Sequence, residues 1–254
     1  MTEKVVKTRA PAVDRCVAIM EFLQKRGQAT VSEITQATGF PVSSVYVIID
    51  AMRAHGLIRQ DRRGKVQLWM KLVSLGNSAR EGLDLREIVI PPLSALMDSY
   101  DCLAVHFGVM ENEDAWYAVK LVPPHAGMGI RSREGMSVSL LHAGLGKCLL
   151  AFQPDALRER IISTLDYTPA TPTSITNPED LRKELSRIRL QKWAYDNSEG
   201  ENDIRCVAVP VFDREGNLMG AVSIVGTIVK FTQELIPEIV KSAKSCAAAV
   251  TEAL

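Results

Sequence analysis

Apolar residues in the first 56 positions recur at the three- and four-residue spacing of helices. A first helix is predicted over residues 13–26, with an apolar stripe of Val13, Val17, Met20 and Leu23. A second, short helix opens at Thr30, because Thr30 and Glu33 have the spacing of a capping box, and it ends at Gly39. The third helix has Pro41 in its first turn, runs to about His55 and buries Val45, Ile48, Ile49 and Met52. Two helices joined by a tight glycine-containing turn predict a helix-turn-helix.

After Gly56 the pattern changes from helical to strand-like. Residues 57–59 and 66–69 are mostly apolar, and the turn DRRGK at 61–65 carries three cations around a glycine that permits positive φ. A hairpin with a basic tip beside a helix-turn-helix predicts a winged helix. Its third helix would enter the major groove, and Arg62, Arg63 and Lys65 would neutralise phosphates. Some winged helices bind only proteins, so an interaction adaptor is the alternative.

Residues 77–100 are helical in character except at Pro91 and Pro92, where we expect the helix to break or kink. The segment is more apolar than a solvent-spanning helix needs, so we interpret it as a linker and dimer contact, with packing inside its own chain as the alternative. Beyond Asp101 strands and helices alternate, which predicts an α+β sheet domain. The expected strands are 102–109, 115–121, 128–131, 204–212 and 218–226. The expected helices are 141–152, one from Asp155, one from Pro178 to about Lys192, and a last one capped by Thr232.

Composition fits two globular domains: the chain has 254 residues, 46% hydrophobic and 24% charged. No apolar run approaches about 18 residues and the N-terminus has no apolar stretch, so we expect a cytoplasmic protein. Five scattered cysteines without a CxxC argue against disulfides and structural zinc. Residues 1–75 hold twelve Lys/Arg and six Asp/Glu, whereas the rest hold eighteen and twenty-four. This asymmetry favours a polyanion-binding module joined to an acidic domain.

Five stretches carry a family resemblance: VDRCVAIM at 13–20, GFPVSSVY at 39–46, LDLREI at 83–88, GLGK at 144–147 and IRCVAVPV at 204–211. In their order and spacing they resemble IclR-type bacterial transcription regulators over nearly the whole chain. The resemblance implies an N-terminal winged helix-turn-helix over 1–75, a linker helix over 76–100 and a GAF/PAS-like effector-binding domain over 101–254. Such proteins work as dimers or tetramers that bind double-stranded operator DNA and respond to small metabolites. Whether this chain represses or activates transcription stays open.

The recognition helix departs from the family pattern, which often has a lysine where Val42 stands and an arginine where Val47 stands. Ser43, Ser44 and Tyr46 are left as groove-facing candidates. Phosphate binding therefore shifts to other side chains of the domain. The predicted DNA-binding residues are Arg9, Arg15, Thr30, Ser43, Ser44, Tyr46, Arg53, Arg62, Arg63 and Lys65. For each of them, helix capping or surface solvation is the alternative.

The GLGK segment lies at a predicted helix start, where free amides and the helix dipole suit a small anion. The resemblance implies that it lines an effector pocket with residues of the neighbouring strands. The predicted effector-binding residues are Ile130, Gly144, Leu145, Asp196, Ile204, Cys206 and Ser223. Strand alternation places Ile204 and Cys206 on one face, although Cys206 as a small core hydrophobe is equally open.

Such a pocket suits a small organic acid of the keto or sugar acid type, with an aromatic acid as an alternative. Asp196 would repel a carboxylate unless it is protonated or faces a hydroxyl, which favours a polyhydroxylated ligand. His142 is one residue out of the family spacing and receives no role. Catalysis by Cys206 or Cys148 with His142 is the rival hypothesis, but no GxSxG or HExxH motif supports it. The histidines lack ligand spacing, so we expect no metal and no cofactor.

Overall fold

The chain folds into two units, residues 1–83 and 84–254, in a computed structural model that describes residues 8–81, 85–124 and 129–254. The first unit is built from short helices and a small antiparallel sheet of strand order β1-β3-β2. Its elements are α1 (Pro11–Arg26), β1 (Ala29–Thr30), α2 (Val31–Thr38), α3 (Val42–Ala54), β2 (Ile58–Gln60), β3 (Lys65–Leu68) and α4 (Met70–Glu81).

The three predicted helices and the wing hairpin are all present. The Thr30 side chain accepts a hydrogen bond from the Glu33 amide while the Glu33 carboxylate accepts one from the Thr30 amide, which completes the capping box. Gly39 ends α2 at φ 68°, so the chain turns there into α3. The prediction that Pro41 lies in the first turn of α3 is off by one position, because Pro41 is the N-cap and the helix begins at Val42. Ile34, Val45, Ile48, Ile49 and Met52 meet in one core with Ile58 and Val66 of the hairpin. The stripe predicted for α1 is wrong in its first half, because Val13 and Val17 are 58% and 41% exposed and the buried side chains of this helix are Ile19 and Leu23.

The second unit contains, in its described residues, an antiparallel sheet of strand order β6-β5-β4-β9-β8-β7. Its helices are α5 (Leu85–Asp98), α6 (Gly144–Ala151), α7 (Asp155–Thr164), α8 (Pro178–Gln191) and α9 (Ile236–Ala253). Its strands are β4 (Ala104–Glu111), β5 (Asp114–Leu121), β6 (Ser137–Val138), β7 (Ala194–Asn197), β8 (Ile204–Phe212) and β9 (Leu218–Thr227).

Helices cover both faces of this sheet. One face packs against α5 and α9 around Phe107, Val209 and Ile224. The other packs against α6, α7 and α8, with Leu149 and Leu185 fully buried. Alternation along β8 follows from this arrangement, since Val207 and Val209 belong to the first core and Ala208 to the second.

Of the break or kink predicted at Pro91, the break is wrong, because α5 continues through Pro91 and Pro92. Two proline positions remove backbone hydrogen bonds, but Val89, Leu93 and Leu96 of α5 are buried in the core shared with α9. Burial of roughly 1.5–3 kcal/mol per large side chain offsets the lost bonds. The predicted linker from Leu85 onward therefore packs within the second unit, and residues 82–84 lie outside the described residues.

Three further element boundaries differ from the prediction. No strand occupies 129–131, residue 128 is outside the described residues, and the edge strand is β6. Helix α6 begins at Gly144 rather than near Leu141, because Ala143 is still extended. Helix α9 begins at Ile236 rather than after Thr232, since Pro237 takes a first-turn position that suits a proline.

Candidate functional site

The outer face of α3 carries exposed side chains at the positions predicted to meet DNA. Tyr46 is 54% exposed and Ser43 is also exposed. Ser44 is half-buried, and its Oγ accepts a hydrogen bond of 3.2 Å from Arg15 Nη1. The Arg15 guanidinium also lies 5.7 Å from the centroid of the Phe40 ring. These contacts join α1 to the start of α3, so Arg15 and Ser44 also hold the helices together.

The remaining predicted DNA contacts divide into two groups. Arg53 forms an ion pair of 2.7 Å with Asp50, and the Thr30 hydroxyl belongs to the capping box. Arg9, Arg62 and Arg63 are exposed, and Lys65 is half-buried. At the wing tip the Asp61 carboxylate accepts the Arg63 and Lys65 amides at 2.8 and 2.9 Å, around Gly64 at φ 76°. The turn is thereby fixed, with its two guanidinium groups directed to solvent.

A cavity of about 190 Å³ lies beside the start of α6, within the second unit. Six of the predicted effector residues line it: Ile130, Leu145, Asp196, Ile204, Cys206 and Ser223. The seventh, Gly144, is adjacent, because a Cβ placed on it would lie 3.3 Å from Cys206 Sγ and 3.4 Å from Asp196 Cβ. The structure therefore brings together all seven residues from five separate stretches of chain.

Strand register explains how these side chains meet. Asp196 of β7 lies opposite Cys206 of β8, which lies opposite Val225 of β9. Ser223 of β9 lies opposite His106 of β4. Directly opposed residues of antiparallel strands project from the same face, so both rows point toward the cavity.

Sequence reasoning missed several side chains of the cavity wall. They are His106, Tyr117, Arg131, Ser132, Ser139, His142 and Glu201. His106 is one of the histidines whose spacing argues against a metal site. The available signal was a lone polar residue among Ala104, Val105 and Phe107, a run that predicts a buried strand. Buried polar residues of this kind usually have partners.

Burial sets the charge state of the cavity. Loss of solvent lowers the pKa of His106 to about 3, so its imidazole is neutral. The same cause raises the pKa of Asp196 to about 7, although its carboxylate accepts the Glu199 amide at 2.7 Å. Burial, with the nearby Asp196 charge, raises the pKa of Cys206 to about 12. The pKa of Tyr117 is also raised by burial, so its hydroxyl is protonated.

A buried ion pair supports one wall of the cavity. Lys147 of α6 has no exposed side-chain surface, and its Nζ donates to Glu199 Oε1 at 2.5 Å and to the Tyr195 carbonyl at 2.9 Å. The Thr171 hydroxyl donates to the Ser198 carbonyl, and the Ser174 hydroxyl to that of Glu199. The segment after β7 is therefore held by Lys147 on one side and by Thr171 and Ser174 on the other. The Glu199 amide of this segment donates to Asp196.

The thiols do not have the chemistry of nucleophiles. Burial raises the pKa values of Cys148 and Cys206, and both stay protonated at neutral pH, whereas nucleophilic attack needs the thiolate. Across the described residues, no group of three His, Cys, Asp or Glu side chains is placed to hold a metal ion. No helix of the described chain is long and apolar enough to cross a membrane.

A winged helix with an exposed cationic wing, followed in the same chain by a sheet domain with a cavity lined by polar side chains, defines a helix-turn-helix transcription regulator. Two family models identify which one. Residues 12–62 match the IclR helix-turn-helix domain, and residues 78–252 match the bacterial transcriptional regulator IclR C-terminal domain. The chain belongs to the IclR family.

Relatives of known sequence and structure agree. The chain is 38% identical over 247 residues to the uncharacterised HTH-type transcriptional regulator RhmR of Escherichia coli K12, covering 97% of this chain and 94% of that protein. Identity to KdgR of the same organism is 29%, covering 90% and 87%. The Thermotoga maritima IclR structure superposes with a TM-score of 0.72 at 29% identity, covering 96% and 98%. An IclR homologue from Microbacterium hydrocarbonoxydans complexed with 4-hydroxybenzoate has a TM-score of 0.80 at 22% identity, covering 96% and 98%.

The family and these relatives confirm the prediction of a transcription regulator rather than an enzyme.

Proposed function

We propose that this regulator binds operator DNA through α3 and the wing, and that a small organic acid in the cavity changes this binding. The observation that carries the proposal is the cavity itself, which is about 190 Å³ in volume and bordered by the start of α6 and by Asp196, Cys206 and Ser223. An apolar cavity of about 150 Å³ is enough to hold benzene. The volume therefore suits an acid of a few carbon atoms.

The charges around the cavity favour a carboxylate with hydroxyl or keto groups. The first amides of α6 have no acceptor within the helix and lie at the positive end of its dipole, beside Leu145 and Gly144. Arg131 adds a cation to the wall. Asp196, with a pKa near 7, donates to a carboxylate when protonated and accepts from a hydroxyl when ionised. These properties support a keto or sugar acid, and an aromatic acid such as the 4-hydroxybenzoate of the M. hydrocarbonoxydans homologue is the alternative that the test must separate.

For DNA binding we propose the ten residues predicted from the sequence, with the exposed wing arginines as the main phosphate contacts. The proposed organisation is a DNA-binding domain over 1–75, a linker over 76–100 and an effector domain over 101–254, assembled in the cytoplasm as a dimer or dimer of dimers. Two recognition helices about 34 Å apart would read two half-sites. The ligand shifts operator binding only by its different affinity for two arrangements of the assembly.

The test is a gel shift of the full chain with DNA from upstream of its own gene, at fixed salt and with competitor DNA. Addition of keto and sugar acids should change the fraction of DNA bound. A Ser223→Leu substitution fills the cavity and should abolish the response while DNA binding is retained. If genome-wide selection recovers no DNA site, the regulator proposal fails and the protein-interaction adaptor takes its place.

A further inference from the structure

We infer that His106, Ser132 and Ser223 select a hydroxyl group on the ligand, so that the cavity takes a hydroxy acid in preference to the keto acid of the same carbon skeleton. The inference rests on the proposed function, since it concerns the same cavity. The volume and charge of the cavity do not distinguish hydroxy acids from keto acids, and this inference does.

The three side chains form a hydrogen-bonded row inside the cavity wall. His106 Nε2 lies 2.8 Å from Ser132 Oγ, and His106 Nδ1 lies 3.4 Å from Ser223 Oγ. His106 and Ser223 are each 1% exposed, and all three residues line the cavity. Because His106 and Ser223 are opposed in the β4–β9 register, their contact is built into the sheet.

The imidazole in this row is neutral. Burial and the nearby Lys120 charge both lower the pKa of His106, far below neutrality. Lys120 is held in place by its Nζ, which donates to the carbonyls of Ser132 at 2.6 Å and Ile130 at 3.3 Å. A neutral imidazole has one N–H and one lone pair. One serine therefore accepts a hydrogen bond from the ring, and the other donates one to it.

This division holds for either tautomer of the ring. The serine that accepts from His106 keeps its own proton for a ligand, whereas the serine that donates to His106 offers a ligand only lone pairs. The second serine therefore needs a donor from the ligand, which a hydroxyl supplies. A keto oxygen only accepts, so it leaves the second serine facing a lone pair in a buried site, which is unfavourable. The Cys206 thiol beside Ser223 is a weak donor and does not replace a hydroxyl.

The experiment compares acids that differ only in this group: glycolate with glyoxylate, lactate with pyruvate, glycerate with hydroxypyruvate, and gluconate with 2-ketogluconate. Binding to the full chain is measured by calorimetry, and the operator response by fluorescence anisotropy. For the skeleton that fits the cavity, the hydroxy acid should bind at least about tenfold more tightly, because sites built for a hydroxyl reject analogues that lack it.

Variants then assign the preference to the row. Alanine at the serine that donates to His106 should reduce the preference to below about twofold by weakening the hydroxy acid alone, whereas alanine at the serine that accepts from His106 should weaken both acids. Ser132→Ala and Ser223→Ala are therefore compared. Ser132→Thr, which keeps a hydroxyl, should retain the preference. Ser137→Ala, in the exposed part of β6, is the matched control. If the keto acid binds as tightly as its partner, or if neither alanine variant reduces the preference, the inference is wrong while an organic-acid regulator stands. If no acid of either series binds, the organic-acid proposal fails together with it.

Discussion

The Lys147→Met substitution tests whether the buried ion pair holds the cavity wall. It removes the cation that contacts Glu199 and the Tyr195 carbonyl, and it leaves the Glu199 side chain, which is 12% exposed, without its main partner. Methionine keeps much of the length of lysine, so little volume is lost. Breaking a buried pair by removing one partner costs about 3–5 kcal/mol, because the remaining charge is uncompensated. At about 2–4 °C per kcal/mol, the melting temperature of the second unit should fall by roughly 10 °C.

Calorimetry of the full chain measures this loss, and Lys183→Met is the matched control. Lys183 pairs with Asp180 at 2.9 Å but is 77% exposed, so solvent screens the pair and the same substitution should leave the melting temperature unchanged. Addition of Glu199→Gln to Lys147→Met should recover most of the loss, because no orphaned carboxylate remains.

The stability lost in Lys147→Met should depend on pH, and the pKa of Glu199 gives the direction. Burial raises the pKa of Glu199, and Lys147 opposes this rise. Without Lys147 the folded-state pKa lies further above the unfolded value, so stability is lost as pH rises through it and returns as pH falls. The deficit of Lys147→Met should therefore shrink on acidification. A Lys147→Met protein that melts with the Lys183→Met control would refute the reasoning.

The wing, the cavity wall and Asp196 each give a further expectation. Alanine at Arg62, Arg63 and Lys65 should weaken DNA binding and flatten the dependence of log K on log salt by about 0.9 per lost phosphate contact; anisotropy between about 50 and 200 mM salt measures it, and an unchanged slope would contradict the assignment. Gly144→Ala should weaken ligand binding with little change in melting temperature, since its Cβ would press on Cys206 and Asp196 at 3.3–3.4 Å; equal binding by calorimetry would contradict this. Because burial raises the pKa of Asp196 to about 7, carboxylate binding should weaken as pH rises from 6 to 8. Asp196→Asn should remove that dependence, and an identical pH profile in the variant would exclude Asp196.

Helices with local signals could be predicted from the sequence. The capping box at Thr30, the left-handed Gly39 and the Asn177–Pro178 start of α8 all act within a few residues, and the structure has each of them. Strands β1 and β6 could not be predicted in this way, because each has only two residues and a two-residue segment has no periodicity. Each of these strands forms by pairing with a strand distant in sequence. Helix α5 contains two prolines and stays helical because it is buried against α9. Local helix propensity does not include this burial, so the sequence pattern did not predict it.

The cavity was less accessible to sequence reasoning. Alternation along β8 gave the common face of Ile204 and Cys206, but the family resemblance was needed to connect them with Asp196 and Ser223. His106 and Ser132 are 26 residues apart, and the segment that bears Ser132 has no regular structure. Nothing in a linear pattern pairs a strand histidine with a loop serine, because that contact depends on where the sheet places both.

Burial favours the neutral forms of His106 and Asp196, so it lowers the pKa of the imidazole and raises the pKa of the carboxyl group. His106 loses its proton and Asp196 holds one until about pH 7, so neither supplies a strong fixed charge. In the proposed complex, the α6 amides and Arg131 meet the negative charge of the acid, and any carboxylate makes the same contacts. Discrimination between acids must come from the direction of hydrogen bonds at the neutral groups, where an unpaired buried acceptor carries a cost. In the proposed complex, the amides provide affinity for acids in general, and the inferred role of the His106 row is to decide which acid is bound.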